Sequence, residues 1–249
     1  MYIADKAIIN AAGQGTRLRP LTLTTPKPLV KVNGKPMIET TIDGLHAWGI
    51  TEIYVVVGYL KEQFNYLPEK YPGLTLIENP YYKDTNSISS MYCARGHISN
   101  TLVMDADQII ADPAILDPHY EASGYNAAYC AEGVGEWICY VDDDDVILSS
   151  DPDSKDPGWQ LLGISRWSPE DGAKLKAHLE LEFEEKQNRK IYWDNIPLFV
   201  HADEYRLKIW RQENRWDIIE IDTLEELVER DPSYAPVLQG ARERASQGC

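Results

Sequence analysis

The segment KAIINAAGQG, residues 6–15, constrains the fold more than any other stretch of the chain. A short apolar run ends in small residues and two glycines, which is how a buried strand opens directly into a tight loop. The strand pattern returns in TEIYVVVGY, LTLIENP and TLVMDADQII. Between these runs the period changes. KPMIETTIDGLHAWGI has helical spacing through Met37, Ile38, Ile42, Leu45 and Trp48, with Gly49 placed to end the helix. LKEQFNYLPEKY predicts a short helix, and TNSISSMYCARG begins another with Thr85 or Asn86 as its cap. Four strands alternating with helices over the first ~110 residues predict an α/β fold with a Rossmann-like, doubly wound, mixed but mostly parallel sheet.

The second half is richer in strands. YNAAYCAEG, EWICYVDDDDVILSS and GWQLLGISRW read as strands joined by polar turns, an added small β-rich region. Asp142 to Asp145 lie between two alternating runs and predict a hairpin turn, not a metal cluster. Ser168 opens a helix with acids in its first turn. IYWDNIPLFV follows; in a strand the adjacent Tyr192 and Trp193 would point to opposite faces. Trp48, Trp167 and Trp210 are expected in the core. YRLKIWRQ is a further strand, and DIIEIDTLEELVERD a strand feeding a helix. Residues 1–232 read as a single domain, and 233–249 as a C-terminal tail of weak pattern, partly disordered.

Composition removes several function classes. No run of about 18 apolar residues exists, so no membrane span is expected, and the N-terminus lacks a signal-peptide pattern, which points to the cytoplasm. Cys93, Cys130, Cys139 and Cys249 form no C-x-x-C pair, and the five histidines are scattered, so a zinc enzyme is not expected. A net charge of −16 disfavours nucleic acid. From Lys6 to Ile38, however, no acid occurs, while Lys6, Arg17, Arg19, Lys27, Lys31 and Lys35 do. A basic island at the front of an acidic chain marks a local anion site.

That island coincides with the Gly-rich loop. Gly13 and Gly15 let the backbone turn and approach a phosphate, and Arg17 and Lys27 can neutralise its charge. The loop has no Gly-Lys-Ser/Thr, and Leu18 stands where a dinucleotide motif would place its third glycine. Asp105 and Asp107 close the fourth strand, and Glu220 and Asp222 in EIDT have the same spacing. Two apart in a strand, each pair would share a face, at the strand ends where open α/β sheets bind ligands. Such carboxylates suit Mg²⁺. Asp222 could also serve simply as a helix cap.

The stretch KAIINAAGQGTRLRPLTLTTPKPLVKVNGKPMIE resembles the signature of the sugar-phosphate nucleotidyltransferases: G-x-G-x-R-[LF]-x-P-L-T followed by P-K-P. Within that superfamily the chain is most similar to bacterial CTP:phosphocholine cytidylyltransferases, from Lys6 to about Leu227, through VGYLKEQFNYL, VMDADQ, GEWICY, YWDN and IEIDT. The resemblance implies CTP, Mg²⁺ and in-line attack of a substrate phosphate oxygen on the α-phosphorus, with pyrophosphate leaving. It gives the CTP contacts to Ala11, Ala12, Gly13, Gln14, Gly15, Thr16 and Arg17. Lys27 becomes the phosphate lysine, Asp107 and Asp222 the metal ligands with Glu220 beside them, and Asp105 and Asn86 neighbours of the nucleotide. Asn10 departs from the family's usual apolar residue.

The same resemblance places Trp137, Tyr192 and Trp193 around a choline group, with Asp194 as counter-charge. Aromatic faces suit a quaternary ammonium, which has no N–H to donate. Transfer of CMP to phosphocholine is therefore the expected activity. 2-Aminoethylphosphonate and phosphoethanolamine, with a primary ammonium on the same arm, are the alternatives, and a non-catalytic nucleotide-binding module is a distant one. The expected partners are CTP and a small cationic phosphate or phosphonate, with a second copy of the chain as a further candidate.

Overall fold

The computed structural model describes residues 1–132 and 135–247. Among them, nine strands form one sheet: β1 (Lys6–Ala11), β2 (Glu52–Val57), β3 (Leu74–Glu78), β4 (Thr101–Asp105), β5 (Gly124–Cys130), β6 (Glu136–Val141), β7 (Ile147–Ser154), β8 (Gly158–Trp167) and β9 (Lys208–Gln212). The half ordered β3-β2-β1-β4 is parallel throughout. Alternation then covers both faces. Ile9, Val55 and Met104 pack with Ile38, Ile42 and Leu45 of helix α1 (Met37–Ala47). Ile8, Val56 and Val103 pack with Met91 of α2 (Ile88–Ala94) and Leu175 and Leu179 of α3 (Pro169–Glu180). This is the doubly wound arrangement that the alternating strands and helices predict.

Strand β8 runs antiparallel to β4, pairing Ile164 with Met104, and carries the β-rich half on its other contacts. Asp142 to Asp145 form the expected hairpin turn: the Asp145 N–H donates to the Asp142 carbonyl at 3.1 Å. Ser168 caps α3, accepting from the Asp171 N–H at 3.1 Å. No helix among the described residues is long and apolar enough to cross a membrane. Cys93, Cys130 and Cys139 are free thiols; Cys249 lies outside the described residues.

Several local expectations are corrected. Helix α2 is preceded by Ser87, not by Thr85 or Asn86; the Asn86 side chain accepts from the Ser87 N–H at 2.7 Å. Strand β4 stops at Asp105, so Asp105 and Asp107 do not share a strand face. Gln108–Ile110 instead pair antiparallel with Ile218–Glu220, and Asp222 likewise lies past the end of its strand. IYWDN is not a strand: the Asn195 N–H donates to the Tyr192 carbonyl at 3.1 Å, closing a turn into the helical segment Ile196–Val200. Trp48 is exposed at the end of α1, its Nε1 donating to the Pro113 carbonyl at 2.7 Å. Residues 235–247 of the expected tail form helix α5 (Ala235–Gln247), which follows α4 (Leu224–Arg230). Val237, Leu238 and Ala241 pack α5 against Ile221, Leu224 and Leu227.

Candidate active site

The loop after β1 is shaped by Gly15. Its φ of +58° lies in the left-handed region, and a Cβ there would sit 2.8 Å from Lys27 Cβ and 3.1 Å from Thr22 Cγ2. The Thr22 hydroxyl donates to the Gly15 carbonyl at 2.7 Å. The loop and the Lys27 turn are thus packed as one piece. Gly13 faces open space, with nothing within 4 Å of a Cβ placed on it. One cavity along this loop is lined by Asn10, Ala12, Gly13, Gln14, Asn86 and Asp105, among others. Both amide atoms of Asn10 are buried without a hydrogen-bond partner. A buried amide left unsatisfied costs stability unless something in the cavity bonds it.

Beside that cavity lies a charged centre. Lys27 Nζ is 2.8 Å from Asp107 Oδ2 and 2.6 Å from Asp222 Oδ1, and Arg17 is 2.7 Å from Asp222 Oδ1. Burial alone would lower the Lys27 pKa, but Asp107 and Asp222 together outweigh it and raise it, so the lysine stays cationic. Asp222 is not the cap of α4. Thr223 takes that role in a capping box with Glu226, which leaves the Asp222 carboxylate free for the centre. Ligand oxygens of Asp107, Glu220 and Asp222 all lie within 4.8 Å of one another. Desolvation within the acidic cluster, and then Asp107 and Asp222, raise Glu220 above the usual carboxylate range, although its surface stays open to solvent. Asp107 Oδ1 is buried with no partner.

A third cavity of about 310 Å³ is lined by Arg17, Asp105, Glu136, Trp137, Tyr192, Trp193, Asp194 and Asp222, with other residues. Trp137 meets the edge of Tyr192 at 5.9 Å, and Tyr192 is half exposed. Trp193 is 4% exposed, stacked on Tyr125 at 6.2 Å and edge-on to Trp167 at 5.8 Å. Its rings are already largely committed to the core. Burial pushes Asp194 up to about 7, against a smaller opposing pull from the neighbouring Tyr125 hydroxyl, which is buried without a well-formed hydrogen bond. Burial and the neighbouring Asp107, Asp194 and Glu220 raise Asp105 well above the usual carboxylate range. Gly163 makes room here: its Cβ would meet Gln108 Nε2 at 2.5 Å and Asp105 Oδ2 at 3.1 Å.

The three spaces share walls. Asp105 lines the first and third, while Arg17 and Asp222 line the third and the space around Lys27. The residues singled out from sequence are therefore brought together, with one exception: Ala11 is buried in the core below the loop. Sequence reasoning missed Asn10 as a cavity wall, reading it as a departure, and also missed Gln108, Tyr125 and Gly163; Glu136, which with Asp194 is a candidate acceptor for a primary ammonium, does line the third cavity. The one available signal was Gly163, since a glycine inside a strand marks a bulge or a close approach.

A strand-loop-lysine frame beside the ends of the parallel strands, facing a triad of carboxylates from Asp107, Glu220 and Asp222, is the architecture of a nucleotidyltransferase. A family model for the MobA-like NTP transferase domain matches residues 7–168, more than half of the chain, and the chain belongs to that family. A 2-aminoethylphosphonate cytidylyltransferase from Lancefieldella rimae is 39% identical over 235 residues, 94% of each chain. A choline-phosphate cytidylyltransferase from Streptococcus pneumoniae is 40% identical over 191 residues, 77% of this chain and 82% of the relative. The solved structure of the CTP:phosphocholine cytidylyltransferase from Streptococcus pneumoniae superposes with a TM-score of 0.84 at 37% identity, covering 90% of this chain and 96% of that one. A putative glucose-1-phosphate thymidylyltransferase from Bacillus anthracis, 17% identical with a TM-score of 0.73 over 91% and 94% of the two chains, shares the fold. The protein is a nucleotidyltransferase, and the Lancefieldella rimae and Streptococcus pneumoniae relatives that it matches over 94% and 77% of its length are cytidylyltransferases.

Proposed function

We propose that the protein transfers CMP from CTP to a small phosphonate or phosphate carrying a primary ammonium, 2-aminoethylphosphonate above all, releasing pyrophosphate. The observation that carries this reading is the pair of desolvated carboxylates, Asp105 and Asp194, in one cavity. Buried carboxylates want N–H donors, and a primary ammonium has three. The Lancefieldella rimae relative, matched along 94% of both chains, supports the same acceptor.

The chain's own residues suffice for the positioning. The acceptor oxygen is already an anion, so attack on the α-phosphorus requires no general base. The loop from Gly13 to Thr16 offers backbone N–H groups and open space to the triphosphate. Lys27 holds a fixed positive charge beside it. Arg17, shared between the acceptor cavity and the Lys27 space, stands where the two anions must meet. Holding reactants in line and offsetting their repulsion are the main sources of rate in such transfers. Asp107, Asp222 and Glu220 would hold Mg²⁺: three carboxylate oxygens converge, and the orphaned Asp107 Oδ1 has no other partner. When bound, the ion supplies charge neutralisation on the phosphates.

A second reading, phosphocholine, is favoured by the Trp137–Tyr192 pair, which presents aromatic surface at the same cavity. The deciding experiment compares pyrophosphate release with 2-aminoethylphosphonate, phosphoethanolamine and phosphocholine at equal CTP. The expected outcome is a preference for the primary amines on the order of 10²-fold, because trimethylation leaves both carboxylates without donors. The reverse order would establish the choline reading. No turnover with any of the three would discard this acceptor class.

A further inference from the structure

Tyr125 lies in β5 opposite Ser165 of β8, and both residues line the third cavity. Only 2% of Tyr125 is exposed. Its ring is held on two sides. It stacks on Trp193 with centroids 6.2 Å and planes 26° apart, and it meets Trp167 edge-on at 6.2 Å. The two indoles thus fix where the hydroxyl stands. That hydroxyl is buried, yet no partner among the described residues completes a hydrogen bond to it. Burial first, and then the neighbouring Asp194, hold the Tyr125 pKa well above its usual value, so the group stays a neutral phenol. A phenol has one proton to donate and lone pairs that accept. Buried polar groups are nearly always paired, and one left unpaired costs stability. An orphaned hydroxyl on the wall of a substrate cavity therefore marks a contact that the substrate completes.

We propose that Tyr125 is a specificity residue of the acceptor site, whose hydroxyl oxygen accepts one N–H of the substrate ammonium while its own proton turns to Asp194. The inference rests on the primary-ammonium reading given above and adds a residue to it. An ammonium carries three N–H donors. Asp105 and Asp194, carboxylates of the same cavity, serve two of them. The third needs an acceptor in the same place. Another buried carboxylate would bring a further charge to desolvate. A phenol oxygen completes the set without one, and donating its proton to a carboxylate makes that oxygen the better acceptor. Glu136 also lines the cavity, but it is exposed, so water serves its oxygens. A trimethylated nitrogen has no N–H to give and leaves the Tyr125 oxygen unpaired, which sets a cost on the wrong acceptor.

The test compares the parent chain with Tyr125→Phe, using 2-aminoethylphosphonate and its N,N,N-trimethyl analogue at saturating CTP. Phenylalanine keeps the ring and its stacking and removes only the oxygen, and melting curves check that the variant folds. The parent is expected to prefer the primary amine. In Tyr125→Phe the ratio of the two kcat/KM values, primary over trimethyl, should fall by ~10-fold or more, as for one lost hydrogen bond from a charged donor. A ratio equal to the parent's, whether both acceptors are slowed alike or neither is, would make the hydroxyl a passive part of the core. That result overturns the assignment and leaves the primary-ammonium reading standing. A parent that prefers the trimethyl analogue would overturn both together.

Discussion

Lys27 Nζ sits 2.6 Å from Asp222 Oδ1, although 195 residues separate the two in the chain. Lys27 also holds Asp107 at 2.8 Å, so one buried cation ties the N-terminal loop to both acidic motifs. Replacing Lys27 by Met keeps the length and removes the charge. We expect kcat to fall ~10²–10³-fold, as when an oriented group stabilising transition-state charge is lost. Breaking a buried ion pair also leaves charge uncompensated, at a cost of ~3–5 kcal/mol. Urea unfolding in chelator should show that loss, and Mg²⁺ should recover part of it. A Lys27→Met enzyme with near-normal pyrophosphate release would remove the lysine from the mechanism.

The two loop glycines should respond differently to alanine. At Gly15 a Cβ meets Lys27 and Thr22, and the backbone is left-handed, which costs roughly 1–2 kcal/mol for a non-glycine residue before any packing strain. Gly15→Ala should therefore melt early. Gly13→Ala meets only open space, so its melting temperature should stay near that of the parent while KM for CTP rises, because the methyl group occupies ligand volume. Equal stability losses at both positions would mean that the loop is not packed as described.

The parallel half of the sheet was legible because each strand is a short apolar run bounded by turn residues, and Ser168 and Asp142 to Asp145 were legible because their roles are local. The break after Asp105 was not. MDADQII reads as one strand, and only its antiparallel partner at Ile218–Glu220, remote in sequence, diverts Gln108–Ile110 away from β4. That diversion brings the acidic motifs together: the Ile221 N–H donates to the Asp107 carbonyl at 3.4 Å. Strand periodicity likewise misplaced Tyr192 and Trp193, because the Asn195 side chain, accepting from the Tyr192 N–H at 2.8 Å, folds the segment into a turn.

Tyr192 and Trp193, adjacent in sequence, should separate in their mutational effects. Trp193→Ala removes a buried indole stacked on Tyr125 and should cost about 3–5 kcal/mol, with turnover falling for every acceptor alike. Tyr192→Ala removes a half-exposed ring and should alter stability by only about 0.5 kcal/mol. Its effect should appear in the acceptor comparison, lowering phosphocholine turnover more than 2-aminoethylphosphonate turnover, because only the quaternary cation depends on an aromatic face. Paired melting curves and acceptor rates check both. A selective effect of Trp193→Ala on phosphocholine would place that ring in the box after all.

Asp194 gives a pH signature whose sign follows from linkage. Burial moves its carboxyl from an ordinary 3.8 to about 7. Between those values the folded chain keeps a proton that the unfolded chain has released, so stability falls as pH rises through the window, and the loss is complete above about 7. Each unit of such a shift corresponds to ~1.4 kcal/mol. Asp194→Asn carries no charge to desolvate. Its unfolding free energy should therefore decline less between about pH 5 and about pH 8 than that of the parent, by on the order of a few kcal/mol. Above neutrality the variant should be the more stable protein and the poorer enzyme, having lost the counter-charge for the ammonium. Saturating 2-aminoethylphosphonate should close the stability gap by neutralising the parent's Asp194. Parallel declines in the two proteins would show that Asp194 ionises normally, and the cavity would then need another anchor for its cation.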